Sequence, residues 1–554
     1  MSAEPDRADP AAANQAPPLE NYNLYSSDLA LSAGVEQHGA SWAVESLKSF
    51  GEVAGTAQVI ALGQAANRHP PELRSHDRYG NRRDVVEFHP AYHELMTLGC
   101  SVGVHSSPWA KPRPGAQVAR AAMYLLFGQV ENGTQCPLTM TFAATPVLAR
   151  HAGEVSTIGE SWLPRIHARC YDRRFLPVEA KSGATIGMGM TEKQGGSDVR
   201  SNRTQATPLG MRGAGRAYRI DGHKWFFSAP MCDAFLILAQ APSGLSCFFL
   251  PRFLPEGNVN AIQLQRLKEK LGNRSNASAE VEFHGATAWL LGDEGRGVSV
   301  ILEMVNYTRL DCAIGSAALM RQALAQAVHH ARHRMAFGRR LAEHALMKNV
   351  LADLALESEA ATAIVLRLAR AYDSEDAREL ALRRLLTPAA KFWICKRIAA
   401  FAQEAMEVLG GNGYVEESIL PRIYREAPLN SIWEGSGNVM CLDLLRAVGR
   451  DPEAVATLEF AMAPARGRDP RLDAFAKRLT DDFASAQENE AGARRLAGRL
   501  VLALQAALLI EHAPSNVAEA FCDSRLAGAD GRVFGALDVA SVCDPIIERA
   551  APAQ

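Results

Sequence analysis

The sequence has no long apolar run, no paired-cysteine pattern and little net charge, three features typical of membrane, secreted and nucleic-acid-binding proteins respectively. Its longest apolar run, residues 500–510, is interrupted by Gln505 and is much shorter than the roughly 20 residues that span a bilayer. None of the ten cysteines forms a CxxC pair, which favours reduced thiols in a cytoplasmic protein over a disulfide framework. The net charge of −2 excludes an overall electrostatic attraction to nucleic acid or membranes.

The sequence also has few residues at the spacing of metal ligands. His329, His330 and His333 fall within about one helical turn, a spacing that could hold a metal ion. No cysteine or carboxylate completes the set, and Arg332 and Arg334 flank it. The pattern favours a solvated helix face, and we expect no metal site.

The composition that is present, 47% apolar and 22% charged, is ordinary for a globular protein. The first 18 residues are rich in Ala, Pro and Asp and have no basic start followed by an apolar run. They predict a disordered tail, which we extend to residue 27, and not a signal peptide. Residues 28–183 are rich in Ala and Leu and predict an α-domain with Pro-rich loops, including a helix over 115–129.

The pattern changes to short apolar runs broken by Gly, Asn and Pro between residues 184 and 296, which predicts a β-domain. Its predicted strands include 218–225, 235–239, 246–250 and 280–283. From Gly297 helical spacing returns, and long helices over 346–372, 377–386 and 389–409 predict a bundle that extends to residue 450. Residues 451–554 predict a further Ala-rich helical domain.

The sharpest local motif is MGMTEKQGGSD, residues 188–198. Gly195 and Gly196 allow the backbone to approach a ligand closely. Thr191 and Ser197 add hydroxyls and neighbouring N–H groups, a wall that suits a flavin ring and a pyrophosphate. Taken alone, the motif favours a solvated turn between two strands over a ligand-binding loop.

Five motifs together resemble the acyl-CoA dehydrogenase family, in the order in which that family has them. They are T-E-x-x-x-G-S-D (Thr191, Glu192, Gly196, Ser197, Asp198), W-x-x-[ST] (Trp225, Ser228), R-x-x-F-G (Arg334, Phe337, Gly338), G-G-x-G-Y (Gly410, Gly411, Gly413, Tyr414) and a variant of Y-E-G (Trp433, Glu434, Gly435). The resemblance implies a mainly α fold with a central β-barrel-like domain and a four-helix bundle, to which this chain adds a C-terminal helical domain. It also implies non-covalently bound FAD between the β-domain and the bundle.

The resemblance further implies which residues hold the cofactor. These are Met188, Met190, Thr191, Gln194, Gly195, Gly196, Ser197, Trp225, Phe226, Ser228, Arg334, Phe337, Gly410, Gly411, Trp433, Gly435, Ser436 and Asn438. Trp225 is expected to shield one ring face. Arg334 and the 410–414 loop are expected to reach the cofactor of a neighbouring subunit, which implies a homotetramer.

The implied reaction is α,β-dehydrogenation of an acyl thioester, with a carboxylate that removes the α-proton. The resemblance assigns this base to Glu434, whereas the residue by itself is equally consistent with an exposed loop acid. A minority of the family places the base just before Arg309, where this chain has Thr308. Arg309 either shapes the substrate pocket, as the resemblance implies, or is a salt-bridged helix residue.

Two departures from the family pattern bear on the site. Glu407 replaces the glutamine expected before the glycine loop, and Trp433 replaces a tyrosine. The first change adds an anion near the expected phosphate contacts. The second narrows the expected acyl channel.

The runs MTEKQGGSDV, GHKWFFS, LKEKLGNRSNAS and NSIWEGSGN resemble one branch of the family, the adaptive-response proteins. That branch is associated with protection against alkylation damage and with binding of double-stranded DNA through the C-terminal domain. Residues 451–554 carry 11 Lys+Arg and 16 Asp+Glu, a net charge of −5 that argues against a diffuse basic surface. Arg494, Arg495 and Arg499 form a local candidate cluster, or else a solvated helix face.

Two functions therefore stay open at this stage. One is an FAD-binding, DNA-associated protein of the alkylation response with at most weak acyl-CoA dehydrogenase activity. The other is a genuine acyl-CoA dehydrogenase that has Glu434 as its base and has no role at DNA.

Overall fold

Two hydrophobic cores organise the chain, one shared by the helices of the N-terminal domain, the bundle and the last domain, and one centred on the β-domain. The computed structural model describes residues 14–451, 453–484, 486, 490–527, 533–537 and 542–553. Its architecture confirms the expected mainly α fold with a central β-domain and a C-terminal bundle.

The N-terminal domain is helical apart from one hairpin. Its helices are Leu29–Gln37 (α1), Val44–Ala54 (α2), Ala57–Arg68 (α3), Pro90–Ser101 (α4), Ser107–Ala110 (α5), Ala116–Val130 (α6), Gln135–His151 (α7) and Leu163–His167 (α8). The antiparallel hairpin Glu72–His76 (β1) and Arg82–Glu87 (β2) lies in a region predicted to be helical. It is held against the β-domain in part by a hydrogen bond from Arg82 Nη2 to the carbonyl of Leu264, 2.8 Å long.

The β-domain closes on itself like a barrel. Its strands are Ile186–Thr191 (β3), Gln205–Pro208 (β4), Ala217–Ser228 (β5), Ala234–Ala241 (β6), Gly244–Pro251 (β7), Ile262–Leu267 (β8) and Ser278–Leu291 (β9). Strand β3 pairs antiparallel with β5 and parallel with β6. The circuit continues through the antiparallel pairs β6–β7, β7–β9 and β9–β5. This closure buries the alternate residues that the sequence pattern indicated.

Long helices build the bundle that follows the β-domain. The elements are Gly297–His333 (α9), the short strands Met335–Ala336 (β10) and Arg339–Arg340 (β11), and then Ala345–Tyr372 (α10), Ala377–Leu409 (α11), Gly411–Tyr414 (α12), Leu420–Glu426 (α13) and Gly437–Arg450 (α14). Helix α9 packs on both α10 and α11, and α14 packs on α11.

The last domain covers one side of this bundle. Its helices are Ala454–Met462 (α15), Pro470–Ala484 (α16), Ala493–His512 (α17), Ser515–Cys522 (α18) and Cys543–Ala550 (α19). Helix α17 packs against α10, α11 and α14, so its apolar face completes the helical core.

Two further local predictions are wrong. Residues 377–409 form one continuous helix that includes Pro388, although we predicted two helices over 377–386 and 389–409. Proline removes one helical hydrogen bond, but Leu385, Leu386, Ala389 and Ala390 around it are buried in the bundle core, and this packing keeps the helix continuous.

The second error concerns the expected N-terminal tail. In residues 14–27 the side chains of Tyr22, Leu24 and Tyr25 are buried in the helical core, so this part is packed and not a tail. Tyr22 Oη also donates a 3.0 Å hydrogen bond to Gln322 Oε1 of α9. Residues 1–13 of the predicted tail lie outside the described residues.

Candidate active site

Glu434 lies in a tight turn just before α14, with a left-handed backbone. Its φ is +57°, which is uncommon for a residue other than glycine, and Gly435 follows with φ +101°. This φ requires glycine at position 435, where a Cβ atom would also come within 2.4 Å of Met440 Cε. Strained backbone of this kind persists only where its surroundings hold it in place, as they do at many functional sites.

The carboxylate of Glu434 is partly enclosed and is held by a hydroxyl. Thr308 of α9 donates a 2.6 Å hydrogen bond from Oγ1 to Glu434 Oε2. Burial raises the pKa of Glu434 above its usual range, while the Thr308 hydrogen bond and the charges of Lys391 and Arg309 limit the rise. A carboxyl group with a raised pKa is a stronger base, as abstraction of a carbon-bound proton requires.

Two cationic side chains hold the backbone of the same turn. Arg309 Nε donates to the carbonyl of Glu434 at 3.1 Å, and its Nη1 lies 2.9 Å from Asp443 Oδ2. Lys391 Nζ donates to the carbonyls of Asn430, at 2.9 Å, and Gly435, at 2.8 Å. Arg309 is thus a salt-bridged helix residue that also holds the backbone of the candidate base.

Glu434 borders a small cavity between the N-terminal domain and the bundle, at the end of strand β5. The cavity is lined by Tyr124, Asn132, Gln135, Cys136, Thr139, Met140, Ser228, Thr308, Asp311, Cys312, Glu426, Asn430, Trp433 and Glu434. Trp433 is fixed there by a 2.8 Å hydrogen bond from its Nε1 to Asn430 Oδ1. The cavity therefore combines groups from α6, α7, α9, α13 and the turn before α14 with the end of strand β5.

The turn 432–438 reaches this cavity directly, whereas the loop 188–198 is connected to it through strand pairing. Met188 on β3 pairs in register with Ser228 on β5, and Ser228 and Trp433 both line the cavity. Met190 and Trp433 both pack against the β-domain core. The two segments that the sequence singled out therefore contact the same core, although no residue of the loop 188–198, which is described throughout, lines the cavity.

A buried ion pair anchors the loop from beneath. Glu192 Oε1 lies 2.7 Å from Lys224 Nζ, and both side chains are fully buried. Burial opposes the charge of Glu192, but the Lys224 ammonium and hydrogen bonds outweigh it and lower the pKa of Glu192 to about 2. Burial lowers the pKa of Lys224 to about 8 despite its anionic partner. Glu192 also accepts hydrogen bonds from the backbone of Arg203 and Thr204.

The other candidate cofactor residues near the loop differ in their surroundings. Gln194 uses its amide within the loop, donating to Glu192 Oε2 at 2.7 Å and to the carbonyl of Ser201 at 3.1 Å. The Trp225 ring has Lys268 Nζ 3.4 Å from its centroid, and Phe226 beside it is exposed. Gly195, Gly196 and Ser197 follow on the outer part of the loop, and Ser436 and Asn438 lie at the start of α14.

Arg334, Phe337, Gly410 and Gly411 do not line the cavity and lie on the protein surface. Phe337 is 97% exposed and Tyr414, next to the glycine loop, is 79% exposed. The N-terminal segment links these regions, because Arg334 Nη1 donates to the carbonyl of Asn14 and Asn412 Nδ2 donates to Gln15 Oε1 at 2.9 Å.

The candidate DNA-contacting arginines lie at the start of α17. Arg495 and Arg499 both approach Asp482 of α16, at 3.5 and 2.5 Å. Arg494 is exposed, with its guanidinium 5.4 Å from the ring centroid of Phe392. Asp482 therefore reduces the positive electrostatic potential at Arg495 and Arg499.

Three further observations concern the chain as far as it is described. No group of three or more His, Cys, Asp and Glu side chains there is arranged to hold a metal ion. None of its helices combines the length and apolar character needed to cross a membrane. None of the ten cysteines, all of which are described, forms a disulfide bond.

Sequence reasoning missed several residues of the site. Thr308 was considered only as a substitute for a base, and Lys391, Asn430 and Glu426 were not considered. The lysine of the otherwise apolar run PAAKFW, residues 388–393, was the one visible indication, because an isolated buried cation needs acceptors. No sequence feature pointed to Glu426.

Comparison with protein families matches most of residues 14–449. Residues 14–173 match the adaptive response protein AidB N-terminal domain. Residues 187–286 match the acyl-CoA dehydrogenase middle domain, and residues 295–449 match the acyl-CoA dehydrogenase C-terminal domain.

Individual relatives agree with these matches. The putative acyl-CoA dehydrogenase AidB of Escherichia coli K12 is 50% identical over 515 residues, 93% of this chain and 94% of that protein. Acyl-CoA dehydrogenase family member 11 of Caenorhabditis elegans is 31% identical over 72% of this chain and 66% of its own length. The crystal structure of C. elegans ACDH-11 in complex with C11-CoA has a TM-score of 0.84, with 26% identity, and the match covers 100% of this chain and 93% of that one. The chain therefore belongs to the acyl-CoA dehydrogenase family, whose cofactor is FAD.

Proposed function

We propose that this protein is an FAD-dependent acyl-thioester dehydrogenase of low activity that serves the adaptive response to alkylation, with Glu434 as the base. The observation that carries the proposal is the carboxylate of Glu434 at the cavity wall, held by Thr308 at 2.6 Å and raised in pKa by burial. A base so placed removes the α-proton of a thioester that enters the cavity. The C11-CoA of the C. elegans relative supports a CoA thioester as the substrate class.

The loop 188–198 and the start of α14 fit FAD. Gly195 has φ +153°, and a Cβ atom at Gly196 would come within 2.5 Å of Thr191 Oγ1, so this loop presents bare backbone. The side chain of Ser436 caps no backbone amide of α14, which leaves the N-terminus of that 14-residue helix to an anionic group. We assign the ring and phosphate contacts to Met188, Met190, Thr191, Gln194, Gly195, Gly196, Ser197, Trp225, Phe226, Ser228, Trp433, Gly435, Ser436 and Asn438.

The chain divides the chemistry between binding, orientation and proton transfer. Bound FAD supplies the acceptor for the hydride that leaves Cβ of the acyl group. Glu434 takes the α-proton on its carboxylate, while Arg309 and Lys391 hold the backbone of its turn. Trp433, fixed by Asn430, occupies part of the acyl space, and this supports low activity.

Exposed apolar side chains of the bundle support a homotetramer in which copies of this chain complete each other's cofactor sites. Phe337, Leu346, Tyr414 and Ile432 are large apolar side chains that are 97, 84, 79 and 64% exposed. Apolar side chains of this size are covered at lower free energy by a second copy than by water. We assign Arg334, Gly410 and Gly411 to the subunit contact as well, and ten cysteines without a disulfide bond support a reducing, cytoplasmic setting.

The test of the dehydrogenase proposal compares Glu434→Gln with Glu256→Gln, which removes an exposed carboxylate in the loop between β7 and β8. Glu434→Gln is expected to retain FAD and to lose the bleaching of flavin absorbance by acyl-CoA, while Glu256→Gln bleaches like the wild type. Bleaching by Glu434→Gln at the wild-type rate removes Glu434 as the base.

We further propose that double-stranded DNA binds at the start of α17. The exposed guanidinium groups of Arg494 and Arg495, with Arg499 on the next turn, support contacts to phosphates. The likeness to the adaptive response protein AidB supports a role in alkylation damage. The alternative is a dehydrogenase with no role at DNA.

Duplex titration at several salt concentrations distinguishes these functions. Replacement of Arg494 and Arg495 by Ala is expected to weaken binding and to reduce its dependence on salt, because fewer counterions are released. Replacement of the exposed Lys477 and Arg478 of α16 by Ala provides the control. If the wild type does not bind duplex at low salt, the alternative function is correct.

A further inference from the structure

Residues 14–17, which we call the N-terminal segment, lie across the end of α9. The residues that follow the segment anchor it, because Tyr22 and Leu24 are buried in the helical core. The carbonyl of Pro17 also accepts a 2.8 Å hydrogen bond from His329 Nε2. The fold therefore fixes the segment at this surface.

The side-chain amide of Asn14 pairs with the backbone of Met335, the first residue of β10. Asn14 Oδ1 accepts the N–H of Met335 at 2.8 Å, and Asn14 Nδ2 donates to the Met335 carbonyl at 2.9 Å. Strands β10 and β11 form only two residue pairs, and so short a hairpin is marginally stable by itself. The Asn14 amide is thus a further edge partner of β10 and stabilises the hairpin.

The turn of this hairpin carries Phe337. Phe337 and Gly338 have φ of +51° and +79°, and the Phe337 side chain is 97% exposed. A left-handed backbone is unfavourable for a phenylalanine, so the orientation of this side chain depends on how firmly the two strands are held. Asn14 therefore affects, through Met335, how Phe337 is presented to a second copy of the chain.

The same segment contacts the two motifs that we assign to the cofactor of a neighbouring copy. Arg334 Nη1 donates to the carbonyl of Asn14, and Asn412 Nδ2 in the glycine loop donates to Gln15 Oε1 at 2.9 Å. Within the described residues the Arg334 side chain makes no other hydrogen bond or ion pair, so its Nε and Nη2 groups stay available to an anion. A long side chain loses rotamer freedom when it binds, and one that is already oriented loses less.

We propose that Asn14 and Gln15 are positioning residues for the subunit contact, which orient Arg334, the glycine loop and the β10–β11 hairpin so that one copy of the chain binds the FAD of its neighbour. The inference rests on the proposed homotetramer with shared cofactor sites. It adds to that assembly a segment that lies outside the five family motifs. Asn14 acts through Arg334 and Met335 and has no contact with FAD assigned to it.

The test is a dilution series of the FAD-loaded full-length protein, in which fluorescence measures released flavin and sedimentation velocity measures assembly. Asn14→Gly keeps the left-handed backbone, φ +54°, and the carbonyl that Arg334 uses, but removes both amide hydrogen bonds. Half of its FAD is expected to be released at a protein concentration roughly fivefold higher than in the wild type, the order expected for the loss of two partly exposed hydrogen bonds. High protein concentration is expected to restore the wild-type FAD content, because assembly is then complete.

Asn21→Gly provides the matched control. Asn21 also has a left-handed backbone, φ +57°, but its Oδ1 accepts the N–H of Ala57 on α3, at 3.1 Å, and not a group of the hairpin. This variant is expected to release FAD at the wild-type concentration. If Asn21→Gly and Asn14→Gly release FAD at the same raised concentration, the effect is a general loss of stability and the inference is overturned.

The remaining outcomes separate the inference from the proposed assembly. Release by Asn14→Gly as in the wild type overturns the inference and leaves shared cofactor sites in place. Tighter retention of FAD also overturns it, because the segment then competes with the cofactor for Arg334. Loss of FAD that high protein concentration does not restore assigns Asn14 a role within one chain and is likewise against the inference.

A wild-type protein that is a monomer and holds FAD at every concentration removes the proposed homotetramer together with the inference. Should Asn14→Gly not fold, Gln15→Ala removes the exposed acceptor of Asn412 and is expected to shift FAD release in the same direction. Release by Gln15→Ala as in the wild type is then against the inference.

Discussion

Thr308 Oγ1 and Glu434 Oε2 are joined by a 2.6 Å hydrogen bond although 126 positions separate the two residues in the chain. The bond connects the middle of α9 to the turn before α14. Some members of the family place a carboxylate base at the position of Thr308. In this chain that position carries a hydroxyl which holds the carboxylate of Glu434.

The first prediction concerns this hydrogen bond. Burial raises the pKa of Glu434 and the Thr308 hydroxyl opposes the rise, so Thr308→Val is expected to raise that pKa further. A hydrogen bond to a charged group contributes about 1.5–3 kcal/mol, and ~1.4 kcal/mol corresponds to one pH unit. Proton abstraction requires the ionised base. The rising part of the curve of abstraction rate against pH is therefore expected to move to higher pH by about one unit.

The rate of exchange of the thioester α-proton with D₂O, monitored by NMR over a pH series, measures this pH dependence. Thr308→Ser keeps the hydroxyl and is expected to retain the wild-type midpoint. A Thr308→Val midpoint equal to that of the wild type contradicts the assigned role of Thr308.

Lys391 is expected to stabilise the Glu434 turn. Its ammonium donates to the carbonyls of Asn430 and Gly435, and Lys391→Met leaves both acceptors without this donor. Buried unpaired carbonyls cost roughly 1–3 kcal/mol each, so we expect the free energy of unfolding to fall by about 2 kcal/mol. Denaturant unfolding of Lys391→Met and of Lys396→Met, an exposed lysine on the same helix, measures the difference. If the two variants have the same free energy of unfolding, Lys391 does not stabilise the Glu434 turn.

The buried pair of Glu192 and Lys224 gives a prediction about pH. The folded pKa of Glu192 is lowered to about 2 from 4.5, so its contribution to stability is complete above pH 4.5 and is lost as the pH falls toward 2. Glu192→Gln is expected to remove this part of the acid destabilisation, as measured by unfolding at pH 2–5. A pH dependence identical to that of the wild type contradicts the assignment.

The same pair predicts a large cost when one partner alone is removed. Lys224→Met leaves the Glu192 carboxylate buried without its counter-charge and is expected to lower the unfolding free energy by about 3–5 kcal/mol. Arg219 forms an exposed pair with Asp221 on the same strand, and Arg219→Met is expected to change stability by less than about 0.5 kcal/mol. Similar losses in the two variants would show that burial of the pair is unimportant.

The exposed Phe337 predicts the effect of a charge on assembly. Phe337→Asp is expected to shift the protein from tetramer to smaller species in sedimentation velocity, because a charge at a packed apolar contact must be desolvated. Leu209→Asp replaces a leucine that is 57% exposed in the loop after β4 and is expected to leave assembly unchanged. A tetramer of unaltered stability in Phe337→Asp excludes this surface as the subunit contact.

Local pattern determined much of the fold. The return of helical spacing at Gly297 coincides with the first residue of α9, and the predicted helix over 346–372 corresponds to α10 at Ala345–Tyr372. These elements were visible because one face of each is continuously apolar, a property of the sequence itself. The hairpin β1–β2 was missed because its strands are rich in charged residues and lack the alternation of apolar and polar residues that indicates a strand.

The sequence also indicated the loop 188–198 and the turn 432–438, since the glycines and polar residues of each form a motif. Which groups face Glu434 was decided by tertiary structure alone. Thr308, Lys391 and Glu426 come from three helices, and a hydrogen bond or a pKa depends on distances that no local pattern encodes. Continuity of the helix through Pro388 was likewise decided by packing, because burial of its neighbours outweighs the one missing backbone hydrogen bond.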